Sequence, residues 1–144
     1  MYRLRPATQA DYDFLYNLHR DTIRPSVAAT WGWDEAWQKA YFAQKFDPSQ
    51  RHIIVVEGDD VGVVAIEERE SEIYIALIEV TTTLQGHGIG TAVIQDILQY
   101  ARQKELPATL HVLKTNEGAK RLYERLGFVV TAEEALKYKM QCPA

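Results

Sequence analysis

IYIALIEVTTTLQGHGIGT, residues Ile73 to Thr91, decides how the rest of the chain is read. Ile73 to Val80 is apolar and rich in β-branched residues, the signature of a buried strand. Gln85-Gly86-His87-Gly88-Ile89-Gly90-Thr91 then forms a glycine loop that runs straight into a helical pattern. Ile89, Val93, Ile97 and Ala101 recur at every fourth position, with Ile94 and Leu98 beside them, so one apolar helix face begins where the glycines end. A strand, a glycine turn and a helix N-terminus present backbone N–H groups and the positive end of a helix dipole. Such an element suits an anion, most often phosphate.

The glycine spacing excludes two common phosphate loops. A P-loop needs Gly-Lys-Ser/Thr at its end, and no lysine follows these glycines. A dinucleotide fingerprint counted from Gly86 needs its third glycine at position 91, which is Thr91. It also needs an acid about 20 residues on, where the chain has Leu110-His111-Val112. The spacing that fits is Q-x-x-G-x-G, read as Gln85, Gly88 and Gly90.

Composition narrows the class. With 144 residues, 47% hydrophobic and 25% charged, residues 1–144 read as a single globular domain with material for a sizeable core. A formal net charge of −4 argues against general nucleic-acid binding and favours cationic substrates. No apolar run reaches the roughly 18 residues of a membrane span, and MYRLRPATQADY has no signal-peptide core, so a soluble cytoplasmic protein is expected. Cys142 is the only cysteine, and His19, His52, His87 and His111 are scattered without metal-ligand spacing. No G-x-S-x-G elbow surrounds Ser26, Ser49 or Ser71, which leaves a hydrolase nucleophile unsupported.

Taken in order, Tyr2 to Pro6 alternates like an edge strand. Thr8 to Asp11 has capping-box form and opens a helix with Phe14, Leu15 and Leu18 on one face, expected to stop before Pro25. Asp34 is the expected N-cap of a second helix reaching about Phe46, with Trp37, Tyr41 and Phe42 inward. Trp31 and Trp33, flanking Gly32 outside either helix, are candidates for the wall of a substrate pocket. Ile53 to Glu57 and Val61 to Glu67 read as strands joined by a turn at Gly58-Asp59-Asp60. Beyond the glycine helix come a strand at Thr109 to Leu113 and a helix opened by Asn116, with Ala119, Leu122, Tyr123 and Leu126 inward and Gly127 ending it. Strands at Phe128 to Thr131 and Leu136 to Met140 close the chain. The order β–α–α–β–β–β–α–β–α–β–β predicts an α+β fold in three layers, with about seven strands in a mixed sheet and about four helices around it.

A second block, Asn116-Glu117-Gly118-Ala119-Lys120-Arg121-Leu122-Tyr123-Glu124-Arg125-Leu126-Gly127-Phe128, stands one strand beyond the glycine helix. It resembles the N-x-x-A-x-x-L-Y-x-x-x-G-F block of the Gcn5-related N-acetyltransferases (GNAT). The Q-x-x-G-x-G loop resembles the coenzyme A pyrophosphate loop of the same family. Members often carry proline where this chain has Thr82, a small departure. The resemblance implies a sheet splayed between strands four and five, with the pantetheine arm of acetyl-CoA against the backbone of Ile78 and Val80. It implies the pyrophosphate on Gln85, Gly86, His87, Gly88, Ile89, Gly90 and Thr91, with Asn116 and Tyr123 completing the cosubstrate site and no metal required.

Acetyl transfer to an amine makes three demands. An alkyl ammonium with a pKa near ~10.4 must lose a proton before it attacks a thioester. The developing oxyanion needs a donor, for which a backbone N–H near Val80 is available. The departing thiolate needs a proton, and Tyr123 occupies the family's usual general-acid position. Two residues compete as base, and a water chain to bulk is the third route. His111 interrupts an apolar strand, where the family's protein N-terminal alanine acetyltransferases carry a glutamate, and an imidazole near ~6.5 suits the task. Glu79 is the rival, alternating away from Ile78 and Val80. Tyr74 stands where some members place a catalytic glutamate. The expected reaction is acetyl transfer to a small-molecule primary amine in a ternary complex. A peptide N-terminus or lysine is the alternative acceptor, and a non-catalytic acyl-CoA sensor the alternative class. Monomer and homodimer both stay open.

Overall fold

The periodicities resolve into seven strands and four helices over residues 1–144 of the computed structural model. They are β1 (Tyr2–Pro6), α1 (Tyr12–Trp31), α2 (Glu35–Lys45), β2 (His52–Val56), β3 (Asp59–Glu68), β4 (Ile73–Val80), α3 (Ile89–Gln103), β5 (Ala108–Leu113), α4 (Glu117–Arg125), β6 (Val129–Glu133) and β7 (Lys137–Cys142). The strands form one mixed sheet in the order β1-β2-β3-β4-β5-β7-β6. By contacts the chain divides into two compact units, Met1–Ala65 with Leu77–His87, and Ile66–Ala76 with Gly88–Ala144. No helix is long and apolar enough to cross a membrane.

In the first unit, β1 runs antiparallel to β2 from Tyr2↔Val56 to Pro6↔His52. The β2–β3 turn falls on Glu57 and Gly58, with φ of 53° and 84°, one residue earlier than expected. A two-residue turn with both φ positive matches the strand twist, so Asp59 and Asp60 join β3 and a bulge at Ile54/Val55 absorbs the offset. Leu15, Tyr16 and Leu18 of α1 and Phe42 of α2 pack with Ile53, Val55 and Val63. Each side chain buried this way contributes about 1.5–3 kcal/mol.

Two helix expectations in this unit need correction. α1 does not stop ahead of Pro25 but runs through it to Trp31. The proline withholds one hydrogen bond. Burial of Ser26 and Val27 in the following turn, and the Thr30 hydroxyl donating to the Ser26 carbonyl at 2.8 Å, hold the helix beyond it. Gly32, with φ of 82°, ends it. Trp31 is therefore the last helical residue rather than part of a loop. On α2, Phe42 is buried, but Trp37 and Tyr41 stack on each other at 4.9 Å and lie 56% and 47% exposed, not inward. The helix turns about 100° per residue, and only the strip through Phe42 meets the core.

The capping box at Thr8 forms as expected, with the Thr8 N–H donating to Asp11 at 2.9 Å. Arg5 clamps the buried Asp11 at 2.8 Å and reaches Asp60 at the same distance. The hydrogen bonds from Arg5 hold the Asp11 carboxyl below the ordinary aspartate range. Its stabilisation is complete above about pH 4 and is lost as pH falls through the lowered value. Asp11→Asn should destabilise the protein by about 1–2 kcal/mol at pH 7. The gap from wild type should narrow in urea titrations run towards pH 3; a constant gap would remove the ion pair from the account.

In the second unit, β5 runs parallel to β4, as a crossover through α3 demands, but their ladder consists of Ile73↔Ala108 and Tyr74↔Thr109 alone. Along its whole length β5 is laddered to β7, from Ala108↔Cys142 to Leu113↔Lys137. This short ladder fits the expected splay. All six apolar residues read from the α3 periodicity, Ile89, Val93, Ile94, Ile97, Leu98 and Ala101, are buried. β6 and β7 begin one residue later than expected, at Val129 and Lys137. Leu136 lies outside β7 and is exposed, while Met140 is fully buried.

Candidate active site

The glycine loop has the backbone its sequence requires. Gly86 and Gly88 take φ of 85° and 84°, a left-handed conformation costly for any side chain. A Cβ at either would meet no atom within 4 Å, so the glycines border open space rather than a packed neighbour. Gly88 caps α3 without a side chain, and the first helical bond runs from the Ala92 N–H to the Gly88 carbonyl at 2.9 Å. The N–H groups of Ile89, Gly90 and Thr91 precede that bond and have no intrahelical acceptor. Gln85 turns back, its side-chain amide donating to the Val80 carbonyl at 3.1 Å. These features suit the pyrophosphate of coenzyme A.

The L-Y-x-x-x-G-F block has a structural logic of its own. The Phe128 N–H donates to the Tyr123 carbonyl at 3.0 Å, and the Gly127 N–H donates to the Glu124 carbonyl at 3.1 Å. With Gly127 at φ 105°, this is a Schellman end to α4. Its hydrophobic contact is the Tyr123 ring against Phe128, 5.8 Å between centroids. The motif therefore fixes where the Tyr123 ring stands. Asn116 caps the other end, accepting from the Ala119 N–H at 3.3 Å. Ala119, Leu122, Tyr123 and Leu126 are only half-buried, although the sequence places them inward.

His111 is held on both sides. Its Nδ1 lies 2.8 Å from the Tyr74 hydroxyl, and its Nε2 lies 3.4 Å from Glu134. Burial pushes its pKa below the ordinary histidine value; Lys137 adds to this and Glu134 opposes it. Burial also raises Tyr74, which stays a phenol, with the Arg69 guanidinium 4.2 Å from its ring centre.

Glu79 is 6% exposed, and Oε2 lies 2.7 Å from Nδ1 of His19 on α1. Its other oxygen, Oε1, is buried with no hydrogen-bond partner. Arg51 feels the Glu79 charge but is mainly influenced by its own burial, which lowers its pKa, and it rests over Phe42 and Phe46. β3 also passes close to Glu79: a Cβ on Gly62 would stand 2.5 Å from the Glu79 carbonyl oxygen. Neither His19 nor Gly62 stands out in the sequence. The available signal for His19 was a polar residue four positions after Leu15, on the apolar face of α1.

Of the tryptophans proposed for the pocket wall, Trp31 is 61% exposed at the end of α1. Trp33 is fixed, its Nε1–H donating to Glu35 at 2.6 Å while Arg24 lies 5.4 Å from its ring centre. His87 in the glycine loop is exposed, and its N–H donates to the Leu84 carbonyl at 3.2 Å.

The sequence profile of the Acetyltransferase (GNAT) family matches residues 12–128, and the chain belongs to that family. Among its relatives is a 5-NmdU N-acetyltransferase of Pseudomonas phage PaMx11, 37% identical over 57% of this chain. Another is an uncharacterised N-acetyltransferase of Methanocaldococcus jannaschii, 31% identical over 88% of this chain. The chain spans 59% and 60% of their respective lengths. The fold matches the PaiA N-acetyltransferase of Thermoplasma acidophilum, solved with coenzyme A, at a TM-score of 0.82 and 12% identity over 100% of this chain and 99% of that one.

Proposed function

We propose that the protein transfers the acetyl group of acetyl-CoA to a primary amine of a small molecule, by direct attack within a ternary complex. In this reading residues 1–144 act as one cytoplasmic acetyltransferase domain. The observation that carries it is the glycine loop: uncapped N–H groups at the start of α3, and glycines at positive φ bordering open space, in a chain of this family. Gln85 to Thr91 hold the pyrophosphate, the backbone of Ile78 and Val80 holds the pantetheine arm, and Asn116 and Tyr123 complete the cosubstrate site. Acetyl-CoA supplies the activated acetyl group as a thioester.

The chain's own residues then manage protons and position. Tyr123, its ring fixed by the Schellman turn, donates a proton to the leaving sulfur. Trp33, held by Glu35 and Arg24, forms a rigid wall suited to a small acceptor, with Trp31 at its margin. Release of the acceptor's ammonium proton falls to an imidazole, either His111 beside Tyr74 and Glu134 or His19 beside Glu79.

A thiol-release assay with acetyl-CoA tests this reading across a panel of small amines, peptide N-termini and lysine side chains. Turnover is expected with small amines. Turnover confined to peptides would move the acceptor class, and coenzyme A binding without turnover on any amine would make the protein a sensor. Tyr123→Phe keeps the ring and removes the proton, so kcat should fall about 10²-fold at unchanged acetyl-CoA affinity. Unchanged turnover with chemistry rate-limiting would leave Tyr123 a packing residue.

A further inference from the structure

On the acetyltransferase reading above, we propose that His19, oriented by Glu79, is the general base that takes the acceptor's proton. Glu79 Oε2 lies 2.7 Å from Nδ1 of His19, and a carboxylate oxygen accepting there places the imidazole hydrogen on Nδ1 and the lone pair on Nε2. That Nε2 has no hydrogen-bonding partner within the chain, and the His19 side chain keeps 29% of its surface exposed. A carboxylate behind one imidazole nitrogen and an open lone pair on the other is the arrangement a base needs. It fixes the tautomer and stabilises the imidazolium that forms.

Three observations favour this pair over His111 and over Glu79 acting alone. Both ring nitrogens of His111 already face partners, Tyr74 at 2.8 Å and Glu134 at 3.4 Å, so it must release one of them to receive a proton. Glu79 is nearly sealed from solvent, so a proton reaches its charge most directly through His19. A purely structural ion pair normally satisfies both carboxylate oxygens, whereas Oε1 here is buried and unpartnered, the kind of exception that gathers at working sites. Glu79 also lies between Ile78 and Val80, the backbone positions assigned to the cosubstrate, so the dyad is anchored in that strand.

The protons balance. The ammonium gives one proton to Nε2 of His19, and the neutral nitrogen forms the C–N bond as the C–S bond breaks. Tyr123 protonates the departing sulfur and recovers a proton from the acylated nitrogen. His19 returns its proton to solvent. The products are the amide, coenzyme A thiol and one released proton.

The test compares His19→Asn, His19→Gln, Glu79→Gln and His111→Asn with wild type, using a primary amine that wild type acetylates. Calorimetry with acetyl-CoA runs alongside. Both His19 variants should lose about 10²-fold in kcat at pH 7 with acetyl-CoA affinity near wild type, and His19→Gln, long enough to donate to Glu79, should keep a higher thermal midpoint than His19→Asn. Activity should partly recover at high pH, where the amine deprotonates unaided. Glu79→Gln keeps an acceptor for Nδ1 but loses the charge, so its loss should be smaller and appear in the same pH profile. His111→Asn should lose less kcat at pH 7 than either His19 variant. The proposal is overturned if His111→Asn carries the loss while the His19 variants stay active, or if those variants raise only the acceptor KM. Failure of the wild type to bind acetyl-CoA would instead refute the acetyltransferase reading on which it rests.

Discussion

Gly88→Val is expected to leave the protein folded while weakening coenzyme A binding by about 10³-fold. Gly88 has φ of 84°, and a β-branched residue there is a genuine outlier, so valine forces the loop out of its left-handed turn. Because a Cβ at this position meets no atom within 4 Å, the change does not collide with the core. The cost in stability is about 1–2 kcal/mol of backbone strain. The cost in binding is larger. Rotating the Gly88 backbone re-aims the N–H groups of Ile89 and Gly90, and the valine side chain occupies the open space beside them. Each hydrogen bond to a charged phosphate contributes about 1.5–3 kcal/mol, so losing two gives the stated factor. Calorimetric titration with coenzyme A, together with a melting curve, measures both costs. Wild-type affinity in a folded Gly88→Val protein would show that the loop is not the pyrophosphate site.

Gly62→Ala should lower the unfolding free energy by about 3 kcal/mol, a large loss for a single methyl group. The new Cβ would stand 2.5 Å from the Glu79 carbonyl oxygen and 3.1 Å from Ile54 Cδ1. The first obstacle is backbone, which cannot swing aside as a side chain can, so β3 and the Glu79 segment of β4 must part or twist. The same movement would disturb Glu79, and kcat should fall with stability. Gly118→Ala on α4 provides the contrast, since its Cβ would meet only Arg121 Nη2 at 4.0 Å. There alanine should stabilise by about 0.5–1 kcal/mol through helix propensity. Urea unfolding of both variants makes the comparison. A neutral Gly62→Ala would mean that the two strands do not approach as closely as described.

Much of the fold was legible because the signals are local. The α3 stripe repeats at a helical period, so the residues that read as one face are the residues that become buried. Gly127 and Phe128 end α4 through bonds that span only a few residues. The family's two blocks lie within such local elements, which is why the family could be read without a fold. The misreadings came where tertiary packing outweighed a local preference. Pro25 is a poor helix residue, yet burial of Ser26 and Val27 carries α1 past it. Trp37 and Tyr41 are large and apolar, yet Phe42 alone on that helix reaches the core.

The sequence by itself determined the elements, their order and the glycine turn ahead of α3, because each rests on periodicity or on backbone conformations that only glycine adopts freely. Only the tertiary structure decided which side chains meet. His19 and Glu79 are 60 residues apart, and Tyr74 and His111 are 37 apart. A helical or strand period shows which face a residue occupies, but not which residue of another element stands opposite. That depends on strand order and on where a helix lies along the sheet. Hydrophobic burial sets both, and burial is nearly indifferent to which polar groups it brings together. The pairing of one imidazole with a sealed carboxylate, and of the other with a phenol, was therefore invisible until the chain had folded.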